Sequence, residues 1–433
     1  MGKYSQEEIL RIVEEEDVEF IRLQFTDMFG NLKNIAVTAR ELPRALNNEY
    51  SIDGNSIGGN AGCVATELYL HPDIDTFCII PWRPQQSKVA RMLCDVYKPN
   101  GKPCDNSSRA ILKRVTELAG QKGYSCKADV ESEFFLFHLD DNGIPTTVTH
   151  EQAEYLDVSP LDLGENARRD MVLNLEDMGI EVMSSHHEKA PAQHEIDFRN
   201  GEPEEMADRI VTFKMVVRTI AKRHGLHATF MPKPKTEVNG SGMHVKFCLM
   251  KDGKNILEDA SDENGLSAEG YYFVGGLLTH SREMALITNP LVNSYKRLVP
   301  GFEAPTNLLW SLNDMDALVM IQQPRGMEKR IEMRSPDSSA NPYLVFALCI
   351  AAGLDGIENK IRYPKDVCID NSAEGKMPQS LKEAIEIFEQ SAWIKEVLGE
   401  GFCEKYVAAK KEEWLSHTRE VTDWEIKRYL YKI

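Results

Sequence analysis

The alternation of apolar and polar positions predicts a short helix and then a β-hairpin at the start of the chain. Ser5 and Glu8 form a capping box in front of apolar residues at helical spacing, which predicts an N-terminal helix. Val18–Phe25 and Leu32–Thr38 then alternate with a period of two on either side of the turn residues Asp27–Asn31. That pattern is typical of two antiparallel strands joined by a short connection.

A turn-rich segment divides the chain in two. Leu68–Pro81 has strand character again, and Tyr97–Ser108 is rich in turn-forming residues. We therefore predict a small domain over residues 1–103 and a larger one over residues 104–433, since a chain of this length is too long for one small core. Within the smaller domain, the glycines of Asp53–Gly62 predict a loop suited to a ligand site.

The larger part alternates strand-like segments with long helical patterns, several of which end at a glycine. Helices that cover one side of an antiparallel or mixed sheet account for this pattern, so we predict an α+β fold. The predicted helices are Ser108–Lys122, Gly164–Met178, Glu202–Arg223, Pro342–Ile361 and an all-helical C-terminus over Ser380–Tyr431.

Four strand-like segments of the larger domain each have one apolar face and one charged face. They are Asp129–Phe137, Gln193–Phe198, Gly242–Cys248 and Arg330–Arg334. Because alternate side chains of a strand lie on opposite faces, the charged residues of each segment share one side of the sheet. These segments, with one residue just upstream of the second, supply six strong metal ligands: Glu131, Glu133, Glu188, Glu195, His244 and Glu332.

Five carboxylates and one imidazole on one sheet face predict a divalent-cation site. Carboxylates brought together repel one another unless cations neutralise them. Oxygen-rich ligands with one imidazole suit Mg²⁺ or Mn²⁺ better than Zn²⁺. A single strand of this kind is more typical of a half-exposed sheet, and the recurrence in four segments is what favours the metal. We expect Asp197, beside Glu195 in the second segment, to be solvated.

Composition and charge restrict the class of protein further. The chain has 433 residues and a formal net charge of −18, which disfavours nucleic acid as a partner. Its nine cysteines are scattered without a Cys-x-x-Cys pair, and the N-terminus has no signal-peptide pattern, so we expect a cytoplasmic protein. The longest apolar stretch, Tyr343–Leu354, is too short to span a bilayer and predicts a buried helix.

Six long motifs follow one another along the chain: Asp53–Gly59, Val130–Phe137, His186–Phe198, Ala228–His244, Asn289–Pro305 and Arg330–Tyr343. In this order they resemble glutamine synthetase of the bacterial type I family over essentially the whole chain. The resemblance implies a small N-terminal β-grasp domain and a catalytic domain with a funnel of antiparallel strands backed by helices. It also implies a homo-oligomer, a dodecamer of two hexameric rings, in which one subunit completes the site of its neighbour.

The resemblance also implies a reaction and a role for each matching residue. ATP phosphorylates the γ-carboxylate of glutamate, and ammonia then displaces phosphate to give glutamine. By position, one metal is held by Glu133, Glu188 and Glu195 and the other by Glu131, His244 and Glu332. The resemblance further implies that Asp53 binds ammonium and that Glu303 covers the site. Arg297, Asn239 and Gly240 would contact the substrate, and Arg330 and Arg334 would contact phosphate and substrate. Ser56 and Tyr155 would lie near the ammonium site.

The chain departs from the family pattern in the segment whose arginines bind phosphate. Between Trp310 and Arg325 the family has three arginines, and this sequence has Asn313, Met315 and Met320 instead. A thioether cannot form the charge-assisted hydrogen bond of an arginine to a phosphate.

Replacement cations are available, and three functions remain open. The second histidine of the family's His-x-His is Lys246 here, so Lys246, Arg325 or Lys329 could replace a missing arginine. The chain could be a ligase that joins glutamate to ammonia, a γ-glutamyl ligase that uses another amine, or a ring-forming homologue without catalysis.

Overall fold

The N-terminal part of the chain folds as a five-stranded sheet with a helix packed on it. The computed structural model describes residues 3–57, 67–323, 325–368 and 375–433. The sheet order is β2-β1-β5-β4-β3, with β1 and β5 parallel at its centre. The elements are α1 (Gln6–Glu15), β1 (Val18–Thr26), β2 (Leu32–Thr38), α2 (Leu42–Leu46), β3 (Tyr50–Asp53), β4 (Glu67–Ile79) and β5 (Lys88–Tyr97).

This region confirms the predicted helix and hairpin. Ser5 accepts from the Glu8 backbone N–H while the Glu8 carboxylate accepts from the Ser5 N–H, which is the predicted capping box. β1 and β2 pair in antiparallel register. Of the predicted loop Asp53–Gly62, the structure describes Asp53 at the end of β3 and a 3₁₀ turn over Gly54–Ser56, and residues 58–62 lie outside the described part.

The larger part of the chain is built on a second, mostly antiparallel sheet, which we call the catalytic sheet after the domain that the resemblance implies. Its order in the described ranges is β12-β13-β14-β10-β6-β8-β7, with β11 paired to β10 and β9 to β6. β12 and β13 are parallel, so the sheet is mixed. The strands are β6 (Ser125–His138), β7 (Val182–His187), β8 (Gln193–Phe198), β9 (Leu226–Thr229), β10 (Met243–Lys251), β11 (Lys254–Asn255), β12 (Asn307–Ser311), β13 (Ala317–Gln322) and β14 (Arg330–Met333).

Helices cover one face of this sheet and extend to the C-terminus. The predicted helices are confirmed to within about two residues at their ends. They are α3 (Ser108–Gln121), α4 (Glu165–Asp177), α5 (Pro203–Arg223), α6 (Ala268–Thr288), α7 (Ser294–Arg297), α8 (Pro342–Asn359), α9 (Leu381–Gln390), α10 (Ala392–Leu398), α11 (Glu400–Arg419) and α12 (Asp423–Tyr429).

The long helix α6 escaped the sequence analysis because it is apolar on nearly every side. A helix buried all round shows no amphipathic period. Small residues let α6 approach α8: a Cβ on Gly276 would lie 1.9 Å from the carbonyl oxygen of Ala352. No helix in the described part of the chain is long and apolar enough to cross a membrane.

An arginine network connects the two sheets. Arg109 on α3 donates to Asp73 on β4 at 2.6 Å, to Asp95 on β5 at 2.8 Å and to Asp208 on α5 at 2.9 Å. The buried guanidinium thus bonds both sides of the predicted boundary and holds the N-terminal sheet against the catalytic helices. The domain boundary between residues 103 and 104 stays a prediction.

Candidate active site

Strand register brings the charged faces of the catalytic sheet together. Glu131 on β6 lies opposite His244 on β10, and Glu133 lies opposite Glu195 on β8. These side chains form the floor of a cavity of about 460 Å³. Its lining includes Glu131, Glu133, Tyr155, His186, Glu188, Lys189, Gln193, Glu195, Asp197, Asn239, Gly240, His244, Arg297, Phe302, Glu303, Met315, Gln322 and Arg334.

A second, larger space of about 860 Å³ lies beside α5 and α11. Among the described residues it contains no group of three histidine, cysteine or carboxylate side chains that could share an ion. The groups of potential metal ligands named below lie at the smaller cavity, and we describe that cavity as the candidate site.

One half of the cavity floor is dominated by carboxylates, and we call Glu133, Glu188, Glu195, Asp197 and His186 the carboxylate cluster. His186 on β7 lies opposite Glu195, and its ring nitrogens are 3.5 Å from Glu188 and 3.7 Å from Glu195. Among the described residues, no lysine or arginine forms an ion pair with Glu133, Glu188 or Glu195. This half of the floor therefore holds three carboxyl groups without a lysine or arginine in direct contact.

The carboxyl groups of this half have raised pKa values. Burial, with the neighbouring Glu188, raises the pKa of Glu133 to about 8. Burial, with Asp197, Glu133 and Glu188 nearby, raises the pKa of Glu195 well above its usual range. Burial also raises the pKa of Glu188. Buried carboxyls that repel one another keep their protons, and a bound cation would reverse the effect.

Glu133 is held in place by two donors. Its Oε2 accepts from the backbone N–H of Gly242 and from Nε2 of Gln193, each at 2.8 Å. Among the described residues it belongs to no set of three whose ligand atoms all lie within 4.8 Å of one another, whereas His186, Glu188 and Glu195 form such a set. The structure thus brings two of the three ligands predicted for the first metal together with a histidine.

The other half of the floor is charge-balanced, and we call Glu131, His244, Glu332, Lys246 and Arg334 the paired cluster. His244 Nδ1 lies 3.3 Å from Glu332 and 3.6 Å from Glu131, so the predicted ligands of the second metal do meet. Arg334 donates to Glu332 at 2.9 Å, and the ammonium of Lys246 contacts Glu131. Two carboxylates thus face two basic side chains.

Four members of the paired cluster, His244, Lys246, Glu332 and Arg334, are buried, and Glu131 is half-buried. Glu332 is 0% exposed, and its Oε2 accepts from Gln322 on the adjacent strand. Burial, with Arg334 and Arg297 nearby, lowers the pKa of His244 well below its usual range, so the imidazole is neutral and can act as a ligand.

Two residues predicted to contact the nucleotide lie inside the wall of the cavity. Lys246 is 2% exposed, and burial lowers the pKa of its ammonium to about 8. Arg330 donates to Asp129 at 2.5 Å. Neither is among the cavity-lining residues, and their roles in phosphate binding stay predictions.

The segment predicted to hold the amino-acid end of the substrate lies at one side of the cavity. Asn239 and Gly240 line it, and a Cβ on Gly240 would meet the carbonyl oxygen of Pro232 at 2.2 Å, so only glycine fits there. Arg297 is buried beneath them and donates to the backbone carbonyls of Ser335 at 2.9 Å and Arg334 at 3.2 Å. These bonds fix the guanidinium within the cavity wall.

Glu303 and Tyr155 lie at the mouth of the cavity. Glu303 has a left-handed backbone, with φ of 53°, which is uncommon for a residue with a side chain. Its carboxylate accepts from Lys189, whose ammonium is also 5.9 Å from the ring of Tyr155. The Tyr155 ring packs edge-on against His186. Both predicted residues therefore border the carboxylate cluster.

Asp53, the predicted ammonium-binding residue of the N-terminal part, lies outside the cavity of its own chain. It is exposed at the end of β3, and its Oδ1 accepts from the Asn55 N–H at 3.0 Å. Asp53 is not among the residues lining the cavity. The backbone of Ser56 belongs to the 3₁₀ turn that follows, and its predicted role stays a prediction.

The residues found in place of the family's arginines occupy different environments. Met315 is 46% exposed and lines the cavity, whereas Met320 is 6% exposed on β13, opposite Glu332. Asn313 is exposed in the loop before β13.

Two of the candidate replacement cations do not reach the cavity. Lys329 donates to the backbone carbonyls of Asn264 and Gly265. Arg325 is exposed and is not among the lining residues. Lys246, on Glu131, is the candidate closest to the predicted metal ligands.

Three residues of the site were missed from the sequence. Asp197 was expected to be solvated, and this is wrong: it lines the cavity, accepts from Ser184, and burial raises its pKa. His186 shares a face with Ser184 at a strand's period of two, so the pattern could have revealed it. Gln322 was hidden because only the β13–β14 pairing places it beside Glu332.

The residues present suit a divalent cation. Among the described residues, Glu131, His244 and Glu332 form one set of potential ligands, and His186, Glu188 and Glu195 form another. Carboxylates with single neutral imidazoles are the donor set that Mg²⁺ and Mn²⁺ accept.

A β-grasp domain joined to a catalytic domain with a carboxylate-lined cavity defines a class of ligase, and sequence comparison identifies the same class. The model of the "Glutamine synthetase, catalytic domain" family matches residues 105–429, and that of the "Glutamine synthetase, beta-Grasp domain" matches residues 17–99. The chain belongs to the glutamine synthetase family.

Curated relatives carry the same family name, and solved structures share the fold. A glutamine synthetase of Clostridium saccharobutylicum is 49% identical over 100% of both chains, and one of Staphylococcus aureus is 44% identical over 99% of this chain and 98% of the other. A structure described as "GmaS/ADP complex-Conformation 1" matches with a TM-score of 0.87 and 30% identity over 97% of this chain and 99% of that one. The cryo-EM structure of Plasmodium falciparum glutamine synthetase, at 24% identity and a TM-score of 0.88 over 99% of each chain, shares the fold.

Proposed function

We propose that this protein joins glutamate to ammonia at the expense of ATP, with γ-glutamyl phosphate as the intermediate. The observation that carries the proposal is the carboxylate cluster, whose buried carboxyl groups are suited to bind divalent cations, which in turn attract phosphate. In the first step the γ-phosphoryl group of ATP passes to an oxygen of the glutamate γ-carboxylate and ADP leaves. In the second, the nitrogen of ammonia bonds to the γ-carbon, phosphate leaves, and a proton passes to a carboxylate of the site.

In this scheme the residues of the chain bind the substrates and orient them for the reaction. Mg²⁺ or Mn²⁺, at the two sets of ligands, would neutralise phosphoryl charge and align the transferring group. Arg297, with Asn239 and Gly240, binds the amino-acid end of glutamate. Arg334 has an Nε without a hydrogen-bond partner among the described residues, and it contacts the γ-carboxylate or phosphate. Glu303 covers the mouth of the cavity and accepts a proton from ammonium. Tyr155 packs against His186 and Lys189 at the mouth of the cavity, beside Glu303.

We further propose that the working unit is a ring-shaped homo-oligomer, a dodecamer of two hexameric rings. Asp53 lies outside the cavity of its own chain, so it can bind ammonium only in the site of a neighbour. Light scattering on a sizing column should give the mass of a dodecamer, or of a hexamer if the rings separate. A stable monomer would contradict the shared site.

The direct test is phosphate release from ATP in the presence of glutamate and ammonium, with glutamine measured in parallel. We expect phosphate and glutamine in equal amounts, and none when glutamate is omitted. Glu195→Gln removes a charge from the cavity and should lower the rate strongly, whereas Glu181→Gln, on the exposed pair with Arg199, should not. ATP turnover without glutamine would contradict the proposal.

A second candidate function is ligation of glutamate to an alkyl amine. The observation in its favour is Met315, which with Phe302 gives the cavity an apolar edge where the family pattern has an arginine. An alkyl group would contact these side chains, so methylamine and ethylamine belong in the same assay. A higher kcat/KM for an amine than for ammonia would establish this alternative, and no turnover with any of them would indicate a homologue without catalysis.

A further inference from the structure

Lys246 is a buried base among the predicted ligands of the second metal. It lies at the centre of the catalytic sheet, opposite Asp129 on β6 and Glu332 on β14. Its side chain is 3% exposed, and its ammonium contacts Oε1 of Glu131. The other oxygen of Glu131, Oε2, faces His244 Nδ1 at 3.6 Å. One carboxylate therefore serves both the lysine and the predicted metal position.

The surrounding residues do not offer a spare negative charge. Glu332 Oε1, which faces His244 Nδ1 at 3.3 Å, accepts from Arg334 at 2.9 Å, while Oε2 accepts from Gln322. Asp129, the remaining carboxylate nearby, is bonded to Arg330. A divalent ion at this position gains less attraction than one placed among the unpaired carboxylates of the carboxylate cluster.

We propose that Lys246 is a resident cation that competes with a divalent ion for Glu131 and weakens binding of the second ion. The inference rests on the proposed function, because it needs a divalent ion at this position, and it concerns a residue of this chain where the family pattern has a histidine. An ion that binds to Glu131 must overcome the charge of the ammonium or displace it. Removing the ammonium should therefore strengthen binding of the divalent ion at the second site and leave binding at the first site unchanged.

The experiment measures Mn²⁺ binding to the full-length protein without ATP or substrates, by calorimetry and by the EPR signal of free Mn²⁺. Lys246→Met keeps the length of the side chain and removes its charge. We expect the second dissociation constant to fall at least about ten-fold, a change of ~1.4 kcal/mol, while the first stays the same. If only one ion binds measurably to the unmodified protein, the variant should bind two.

Two further variants separate the charge of Lys246 from the loss of any buried lysine. Lys246→Arg keeps the charge and should bind Mn²⁺ as the unmodified protein does. Lys410 on α11 is 5% exposed and pairs with Glu413 at 2.8 Å, far from the cavity lining, so Lys410→Met is a matched control and should also leave both constants unchanged. Circular dichroism of the metal-free variants checks that they fold.

The outcomes are distinct. Equal Mn²⁺ binding by the unmodified protein and Lys246→Met overturns the inference, while phosphate release with glutamate and ammonium can still support the proposed function. A gain of binding in Lys410→Met as large as in Lys246→Met also overturns it. Absence of Mn²⁺ binding in every variant overturns both the inference and the use of divalent ions in the proposed reaction.

Discussion

The carboxylate cluster and the paired cluster lie on the same face of the sheet, but their carboxyl groups have different partners. In the paired cluster, Glu131 and Glu332 are matched by Lys246 and Arg334. In the carboxylate cluster, burial and mutual repulsion raise the pKa values of the carboxyl groups. A fold can stabilise a buried carboxylate with its own base, or leave it for a ligand to neutralise. The second choice marks the place where an ion is needed.

The largest expected effect comes from breaking the paired cluster. Arg334→Met leaves Glu332 buried without its guanidinium, so we expect a loss of about 3–5 kcal/mol in the unfolding free energy of the metal-free protein. Denaturant unfolding measures it. Arg199→Met breaks an exposed pair with Glu181 and is the control, which should change stability little. Equal losses in the two variants would contradict the balance proposed for this cluster.

The carboxylate cluster should make the metal-free protein less stable as the pH rises. The pKa of Glu133 is about 8 in the folded chain, above its model-peptide value of 4.5, so between these values the folded state holds a proton that the unfolded state has released. Stability is therefore highest at low pH within this window and falls by about 2–3 kcal/mol between pH 5.5 and 7.5. Glu133→Gln should flatten this dependence, and unchanged slopes would argue against it.

A divalent ion should remove that instability. Binding to the folded state alone stabilises it by about 2.7 kcal/mol at an ion concentration 100 times the dissociation constant. We expect Mn²⁺ to raise the melting temperature of the unmodified protein, and Glu195→Ala to lose much of the gain. Glu332→Ala should also reduce it, but by less if the carboxylate cluster binds the ion more tightly. A melting curve that millimolar Mn²⁺ leaves in place would refute the site.

The smallest expected effect concerns the missing arginine. Met315 lines the cavity, so Met315→Arg can place a guanidinium near a phosphate, and we expect phosphate release to rise about ten-fold, or ~1.4 kcal/mol of activation free energy. Met327→Arg is the control, since Met327 is similarly exposed but does not line the cavity. Met320→Arg should add less, because Met320 is buried opposite Glu332. An ordinary rate in the unmodified protein would show that no arginine is needed.

The periodicity of the sequence predicted β1, β2, β4, β6, β8, β10 and β14, because alternation in a strand fixes which side chains share a face. It thereby placed Glu131, Glu133, Glu195, His244 and Glu332 on charged faces of these strands, and their roles as metal ligands stay predictions. Contacts that depend on strand pairing could not be predicted this way.

Two kinds of information were absent from the linear pattern. The bond of Lys246 to Glu131 and that of Gln322 to Glu332 need the order of the sheet. The proposed role of Asp53 needs a second copy of the chain and stays a prediction. The misplacement of Asp197 has a third cause: a charged residue near the end of a strand is usually solvated, and here the side chain is half-buried in the cavity lining.

The difference between the two clusters is tested most directly by two matched substitutions in the metal-free protein at pH 8. Glu195→Gln removes a carboxyl group whose ionisation its neighbours oppose, and Glu332→Gln removes the carboxylate partner of a buried arginine. Each substitution replaces one carboxyl oxygen with an amide nitrogen. Denaturant unfolding should show Glu195→Gln at least as stable as the unmodified protein and Glu332→Gln less stable by roughly 2 kcal/mol or more. Similar losses in both variants would contradict the division of the cavity floor into a half that neutralises itself and a half that needs an ion.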